Sequence, residues 1–247
     1  MKHSNYNILL ISLTIFLSFT FTKTSLSKQE NYSVFAKLPL LGEIEVQNIK
    51  TDLTIIDDKI KYSYYVSPTK LVDFFDEKIS SGFILGKLEN NNIITEKYFF
   101  KTEKEDFKRE IQFQYLDGSI NKIIIEPNYD ISKISNVTKL MIKESIDPVS
   151  MFYLITNFNY IKKCNKTIKV YDGKRRYNLI LSNPIENDLS YSCTLTHQKI
   201  AGYKPEKIKE NKLYVSVLRF IISDNNSYIF SEVSLRNNNT DLIIRKN

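Results

Sequence analysis

The chain reads as a mainly β protein of the α+β class. The expected form is one large curved antiparallel sheet, a half-barrel, with two short helices on its concave side. Three observations predict it. Apolar and polar residues alternate at period two through most of the 247 residues, Asp-Gly turns join such runs, and only two stretches show helical spacing. Many antiparallel strands with so few helices suit a sheet covered on one side.

The elements follow in order. Tyr32, Val34 and Ala36, then Ile44 and Val46, then Tyr62, Tyr64 and Val66 point alternately to one face. Ser67-Pro68 breaks the pattern and offers an N-cap followed by a first-turn Pro. Leu71, Phe74 and Phe75 then sit at i, i+3 and i+4, which predicts a short helix ended by Ser80-Ser81-Gly82. Strand resumes over Gly82–Gly86. Ile111, Phe113 and Tyr115 alternate with glutamines, and Asp117-Gly118 turns the chain into Ile120–Ile125, because a tight primed turn needs positive φ at both central positions. Residues 127–145 are polar and read as a crossing loop. Asp147-Pro148 opens a second helix with Met151, Leu154, Ile155 and Phe158 as its apolar stripe, read as core against the sheet. Strands follow at Thr167–Tyr171, Arg175–Leu181, Leu189–Thr196, Leu213–Ile222, Tyr228–Leu235 and Leu242–Ile244, with Asp172-Gly173 as the first turn among them.

The first 27 residues have another character. Lys2 and His3 precede an apolar run from Ile8 to Phe21, and Ser25-Leu26-Ser27 supplies small residues for a peptidase. That is the layout of a secretory signal peptide over residues 1–27, leaving 28–247 as a single β-rich domain. The run is short of the roughly 20 residues that a spanning helix needs. With no Cys after it, a lipid anchor is not expected. The predicted location is therefore exported, in the periplasm of a Gram-negative envelope.

Removal of that segment takes away Lys2 and Lys23 and leaves a formal charge of +5, two below the +7 of the whole chain. Lysine is scattered rather than gathered in a block, so nucleic acid is not an expected partner, while peripheral contact with a membrane surface stays open. Cys164 and Cys193 are the only cysteines, and neither lies in a C-x-x-C pattern. In an exported chain they are expected to form a structural disulfide, stabilising by roughly 3–4 kcal/mol in the loop-entropy model.

Chemistry is sparse. The exported chain keeps one histidine, His197, which excludes a multi-histidine metal centre; no metal ligand, cofactor or catalytic residue is assigned. There is no nucleophile elbow, phosphate loop or dinucleotide fingerprint. His197 alternates with Cys193 and Leu195 and reads as an ordinary side chain near a strand end. The remaining candidates are Arg175, Arg176 and Tyr177, beside the structural turn Asp172-Gly173. Arginine suits phosphate or carboxylate, but strand alternation places Arg175 and Tyr177 on one face and Arg176 on the other, so only part of the cluster can meet one ligand.

These residues, taken in order, resemble a bacterial family catalogued as domain of unknown function 3108. The match runs from Asp147-Pro148-Val149-Ser150 through Cys164 and Val170-Tyr171-Asp172-Gly173-Lys174-Arg175-Arg176-Tyr177 to Cys193 and Ile200-Ala201-Gly202-Tyr203. Asn178 stands where the family often has an acid, and Lys199 where it has Pro. The resemblance implies a periplasmic protein with a curved half-barrel like that of lipoprotein carriers. The function expected is non-enzymatic binding of a hydrophobic ligand, a lipid or a lipoprotein. The alternatives are an envelope structural or assembly factor that binds another protein and, more distantly, an envelope hydrolase.

Overall fold

A computed structural model describes residues 25–38, 40–70, 78–89, 92–161, 163–209, 214–235 and 241–247. The apolar run Ile8–Phe21 and the helix expected around Leu71, Phe74 and Phe75 lie outside the described residues. Ser25–Ser27, where cleavage was expected, begin the first strand and pair with Thr54–Ile56.

The described strands form one antiparallel sheet that does not close into a barrel. The N-terminal half contributes β1 (Ser25–Leu38), β2 (Gly42–Ile56), β3 (Lys59–Pro68), β4 (Ile79–Glu89), β5 (Asn92–Lys104), β6 (Phe107–Leu116) and β7 (Ser119–Glu126). The C-terminal half contributes β8 (Lys166–Tyr171), β9 (Arg176–Glu186), β10 (Ser190–Ala201), β11 (Tyr214–Ile222), β12 (Tyr228–Leu235) and β13 (Asp241–Lys246). Within each half, every strand lies beside its neighbours in sequence, whereas the consecutive β7 and β8 stand at opposite edges. One further pairing, β13 against β1, joins the two halves, and the sheet's free edges are β7 and β8. Between those edges runs the helical segment, with α1 (Lys139–Lys143), α2 (Pro148–Thr156) and α3 (Phe158–Ile161). A last short helix, α4 (Pro205–Lys209), lies between β10 and β11.

Local sequence explains the elements. Asp117 and Gly118 have φ of 50° and 72°, the left-handed conformation that a primed hairpin turn requires. Gly82 lies in a strand as expected, but Ser80 and Ser81, expected only to end a helix, already belong to β4. The backbone O of Phe99 and the Tyr64 ring both lie 2.8 Å from where a Cβ on Gly82 would stand, so only glycine lets these strands approach so closely. Phe158, expected in the stripe of the second helix, starts α3 after the chain leaves α2 at Asn157. The crossing loop 127–145 holds α1, whose N-cap Thr138 accepts a hydrogen bond from the backbone N–H of Met141.

Helix α2 is held in the concavity by a buried polar network. Asp147 is fully buried; its Oδ1 accepts the backbone N–H groups of Val149 (2.9 Å) and Ser150 (2.8 Å), capping the helix. Its Oδ2 accepts the hydroxyls of Tyr115 on β6 (2.8 Å) and Ser150 (2.6 Å). Ser150 Oγ also bonds Thr95 Oγ1 on β5 at 2.8 Å. Just upstream, Ile146 bridges the outer edge of β8 through backbone bonds with Lys169 and Tyr171, each 2.9 Å. These bonds fix which face of α2 turns to which strands. Val149, Tyr153 and Leu154 pack with Ile84, Tyr98 and Phe113, whereas Ile155 packs with Tyr32, Leu195, Leu218 and Phe220. The concave face is therefore largely filled by the chain's own helix.

Cys164 and Cys193 form the expected disulfide, with Cα atoms 5.7 Å apart and both residues buried. It ties the segment entering β8 to β10 across the intervening β9.

Candidate functional site

Filling is incomplete. Among the described residues, two of the cavities lie on either side of α2 and face opposite ends of the sheet. The strand registers define those ends. One gathers the β8–β9 turn, Tyr203 and the β13 start near Leu242; the other gathers Lys28, the β11–β12 turn and the β13 end at Lys246.

The first cavity has a volume of about 470 Å³ and lies between α2 and strands β9 to β13. Met151, Phe152 and Ile155 form its helix side, and Leu179, Leu195, Val233 and Leu235 its sheet side. A smaller cavity of about 170 Å³ shares Met151, Phe152 and Ile244 with it and extends past Tyr64 and Val66. Apolar surroundings follow from the strand alternation, since Leu179, Leu195 and Val233 fall on one face of neighbouring strands.

One end of this cavity is polar. Asp172, Arg175, Tyr177, His197 and Tyr203 all line it. The turn that carries Arg175 is preformed. Gly173 has a φ of 94°, and Asp172 Oδ1 accepts the backbone N–H groups of Lys174 (2.9 Å) and Arg175 (2.6 Å). Gly202 lets the next turn lie against it: a Cβ there would stand 2.0 Å from Lys174 O, and its φ is 80°. Ser135 in the crossing loop fastens that turn, donating its N–H to Tyr203 O at 2.8 Å and accepting from Gly202 N at 3.0 Å. Two motifs more than 25 residues apart in sequence thus meet through a glycine.

The side chains form an aromatic and cationic cluster. The Arg175 guanidinium carbon lies 5.6 Å from the Tyr203 ring centre, and Lys199 Nζ lies 5.8 Å from it. The Tyr203 hydroxyl is 3.5 Å from His197 Nε2, and the His197 and Tyr177 rings are 4.8 Å apart. Burial, followed by the positive charges of Lys199 and Arg175, holds the His197 imidazole below its ordinary pKa. Burial also pushes the Tyr203 phenol up to about 12 and the Asp172 carboxyl above its usual range. The polar end therefore gathers a neutral imidazole, which keeps one basic ring nitrogen, protonated phenols, the cations of Arg175 and Lys199, and the Asp172 carboxyl.

The sequence candidates separate here. Arg175, in the turn just before β9, and Tyr177, on β9, both line the cavity. Arg176 does not line it: only 4 % exposed, it points its guanidinium to Tyr177 O and to Asn178 Oδ1 (2.8 Å). His197 and Tyr203, which sequence reasoning did not select, complete the cluster. His197 lies within β10, four residues before its end, beside Tyr203 from the following turn.

The second cavity, about 450 Å³, is more polar, with Lys28, Glu30, Asn157 and Asn226 around the aromatic rings of Tyr62, Tyr153, Phe158 and Tyr228. Its cations are engaged: Lys28 and Lys246 meet Glu30 at 2.8 and 2.6 Å, and the Tyr32 hydroxyl donates to the same carboxylate at 2.6 Å. Burial alone would raise the Glu30 pKa, but these three partners outweigh it and hold the carboxyl at about 2. Among the described residues, no group of His, Cys, Asp and Glu is arranged to hold a metal ion, and no helix is long and apolar enough to cross a membrane.

No family model matches the chain, and no curated protein matches it. Among solved structures, the chain is similar to a beta-barrel-like protein of domain of unknown function 1849 from Brucella abortus. The TM-score is 0.41 at 6% identity, over 88% of this chain and 95% of that one.

Proposed function

We propose that this chain is an exported, periplasmic, non-enzymatic binding module whose interior takes a hydrophobic ligand such as a lipid or the acyl part of a lipoprotein. The observation that carries the proposal is the apolar cavity of about 470 Å³ beside α2, within the roughly 300–1,000 Å³ of small-molecule sites. The signal-like first 27 residues and the Cys164–Cys193 disulfide support the periplasmic part. Native mass spectrometry of protein purified from its own envelope tests the reading, together with displacement of a fluorescent apolar dye. Binding should disappear in Leu195→Trp, which fills the cavity. Dye binding unchanged in that variant, with no lipid co-purifying, would refute the reading.

A second reading, an envelope factor that binds another protein, is favoured by the sheet's edge. No further strand is hydrogen bonded on the outer side of β7 among the described residues, and an extended partner segment can add there.

A further inference from the structure

We infer that the ligand of the apolar cavity is a single acyl chain with an anionic head, a carboxylate or a phosphate monoester, and that Arg175 at the cavity mouth binds the head. The inference rests on the hydrophobic-ligand reading and specifies its ligand.

Charge placement is the first argument. Arg175 lines the cavity yet is solvent-exposed, and no carboxylate lies within ion-pair distance of its guanidinium among the described residues. Its neighbour is the face of Tyr203, which leaves the guanidinium's donor edge available to a planar anion. Lys174 and Lys199 add positive charge at the same end. Asp172 shares the wall but has its Oδ1 engaged by two backbone N–H groups, and it offsets those cations only in part.

The second argument is donor geometry. The Tyr203 hydroxyl, 3.5 Å from His197 Nε2, stands beside Arg175 and adds a neutral donor to the cationic one. The turn holding Arg175 is pinned by Gly202 and Asp172, so little ordering is needed when a head group arrives.

Shape is the third. From this polar end the lining turns apolar toward Met151, Phe152 and Ile244, with the small hydroxyl residue Ser216 as its one interruption among the described residues, and the continuation beyond them is only about 170 Å³. Such a slot suits one chain lying inward from a solvated head. Two chains, or a ligand with polar groups along its length, would leave polar atoms unpaired there.

The test uses purified, delipidated protein and three probes with the same sixteen-carbon chain: palmitate, palmitoyl lysophosphatidate and hexadecanol. Affinities are read by calorimetry at fixed ionic strength. At least one anionic probe should bind about tenfold more tightly than hexadecanol, and the tighter of the two identifies the head. Arg175→Ala should erase that preference while leaving hexadecanol affinity within twofold, and Arg175→Lys should keep part of it. Equal binding of all three probes, or a preference that survives Arg175→Ala, would overturn the inference and leave hydrophobic binding intact. Failure of all three to bind would bring down the parent reading itself.

Discussion

The two cavities either side of α2 hold similar volumes but treat their charges in opposite ways. Near Lys246, two lysines and a tyrosine converge on Glu30, so each charge is met within the protein, and the cluster joins β1 to β13. Near Tyr203, Arg175 has an aromatic face for company and an apolar slot behind it. The first arrangement satisfies itself and holds the sheet together. The second is left available to something from outside. Total charge does not distinguish them; pairing does.

That comparison can be broken most severely at the helix that separates the cavities. Asp147→Ala removes the cap of α2 and leaves the Val149 and Ser150 N–H groups and the Tyr115 hydroxyl without their acceptor, in a buried site. A loss of about 4 kcal/mol is expected in urea unfolding, from one cap and several unsatisfied groups. A loss under about 1 kcal/mol would show that the network does not anchor the helix. Gly202→Ala tests the cationic end. Its Cβ would collide with Lys174 O, and its positive φ disfavours any side chain. About 2–3 kcal/mol should be lost, with weaker binding of the acyl probes because the Arg175 turn must shift.

Acid should act on the opposite end. The folded Glu30 pKa of about 2 lies below its ordinary 4.5, so its contribution is present above pH 4.5 and is lost as pH falls toward 2. On the order of 2 kcal/mol should disappear across that window after allowance for solvent screening. In Lys246→Ala the same window should flatten; an unchanged acid profile would disprove the assignment. Arg175→Ala should move stability least, within about 0.5 kcal/mol, because its guanidinium has no ion-pair partner to lose among the described residues. A larger cost in thermal unfolding would make it a structural residue.

Much of the fold was legible because it is written in local signals. Period-two alternation marked the strands, Asp117-Gly118 marked a primed turn, and Asp147-Pro148 marked the start of α2. Where local signals compete, the reading failed. Ser80-Ser81-Gly82 looks like a helix end, yet β3 and β5 on either side draw it into the sheet, and the missing side chain of Gly82 is what lets them close in. The site was half legible. Alternation put Arg175 and Tyr177 on one face, but no sequence period connects them to Tyr203. That contact depends on two turns packing through Gly202, a relation visible only once the register of β9 with β10 is known. The Ala-Gly-Tyr stretch at Ala201–Tyr203 was the available signal: a glycine just past a strand, followed by an aromatic.

The pairing of the last strand with the first has a consequence for how the molecule is made. Lys246 and Glu30, 216 positions apart, meet only after all the residues between them have been synthesised. Until Asp241–Lys246 emerge, Tyr32–Lys37 of β1 offer an open flank to any extended chain nearby. Deleting those six residues would therefore do more than shorten the protein. It would leave Tyr32–Lys37 of β1 and Glu232–Leu235 of β12 unpaired in the middle of the sheet, and self-association should appear before any loss of secondary structure.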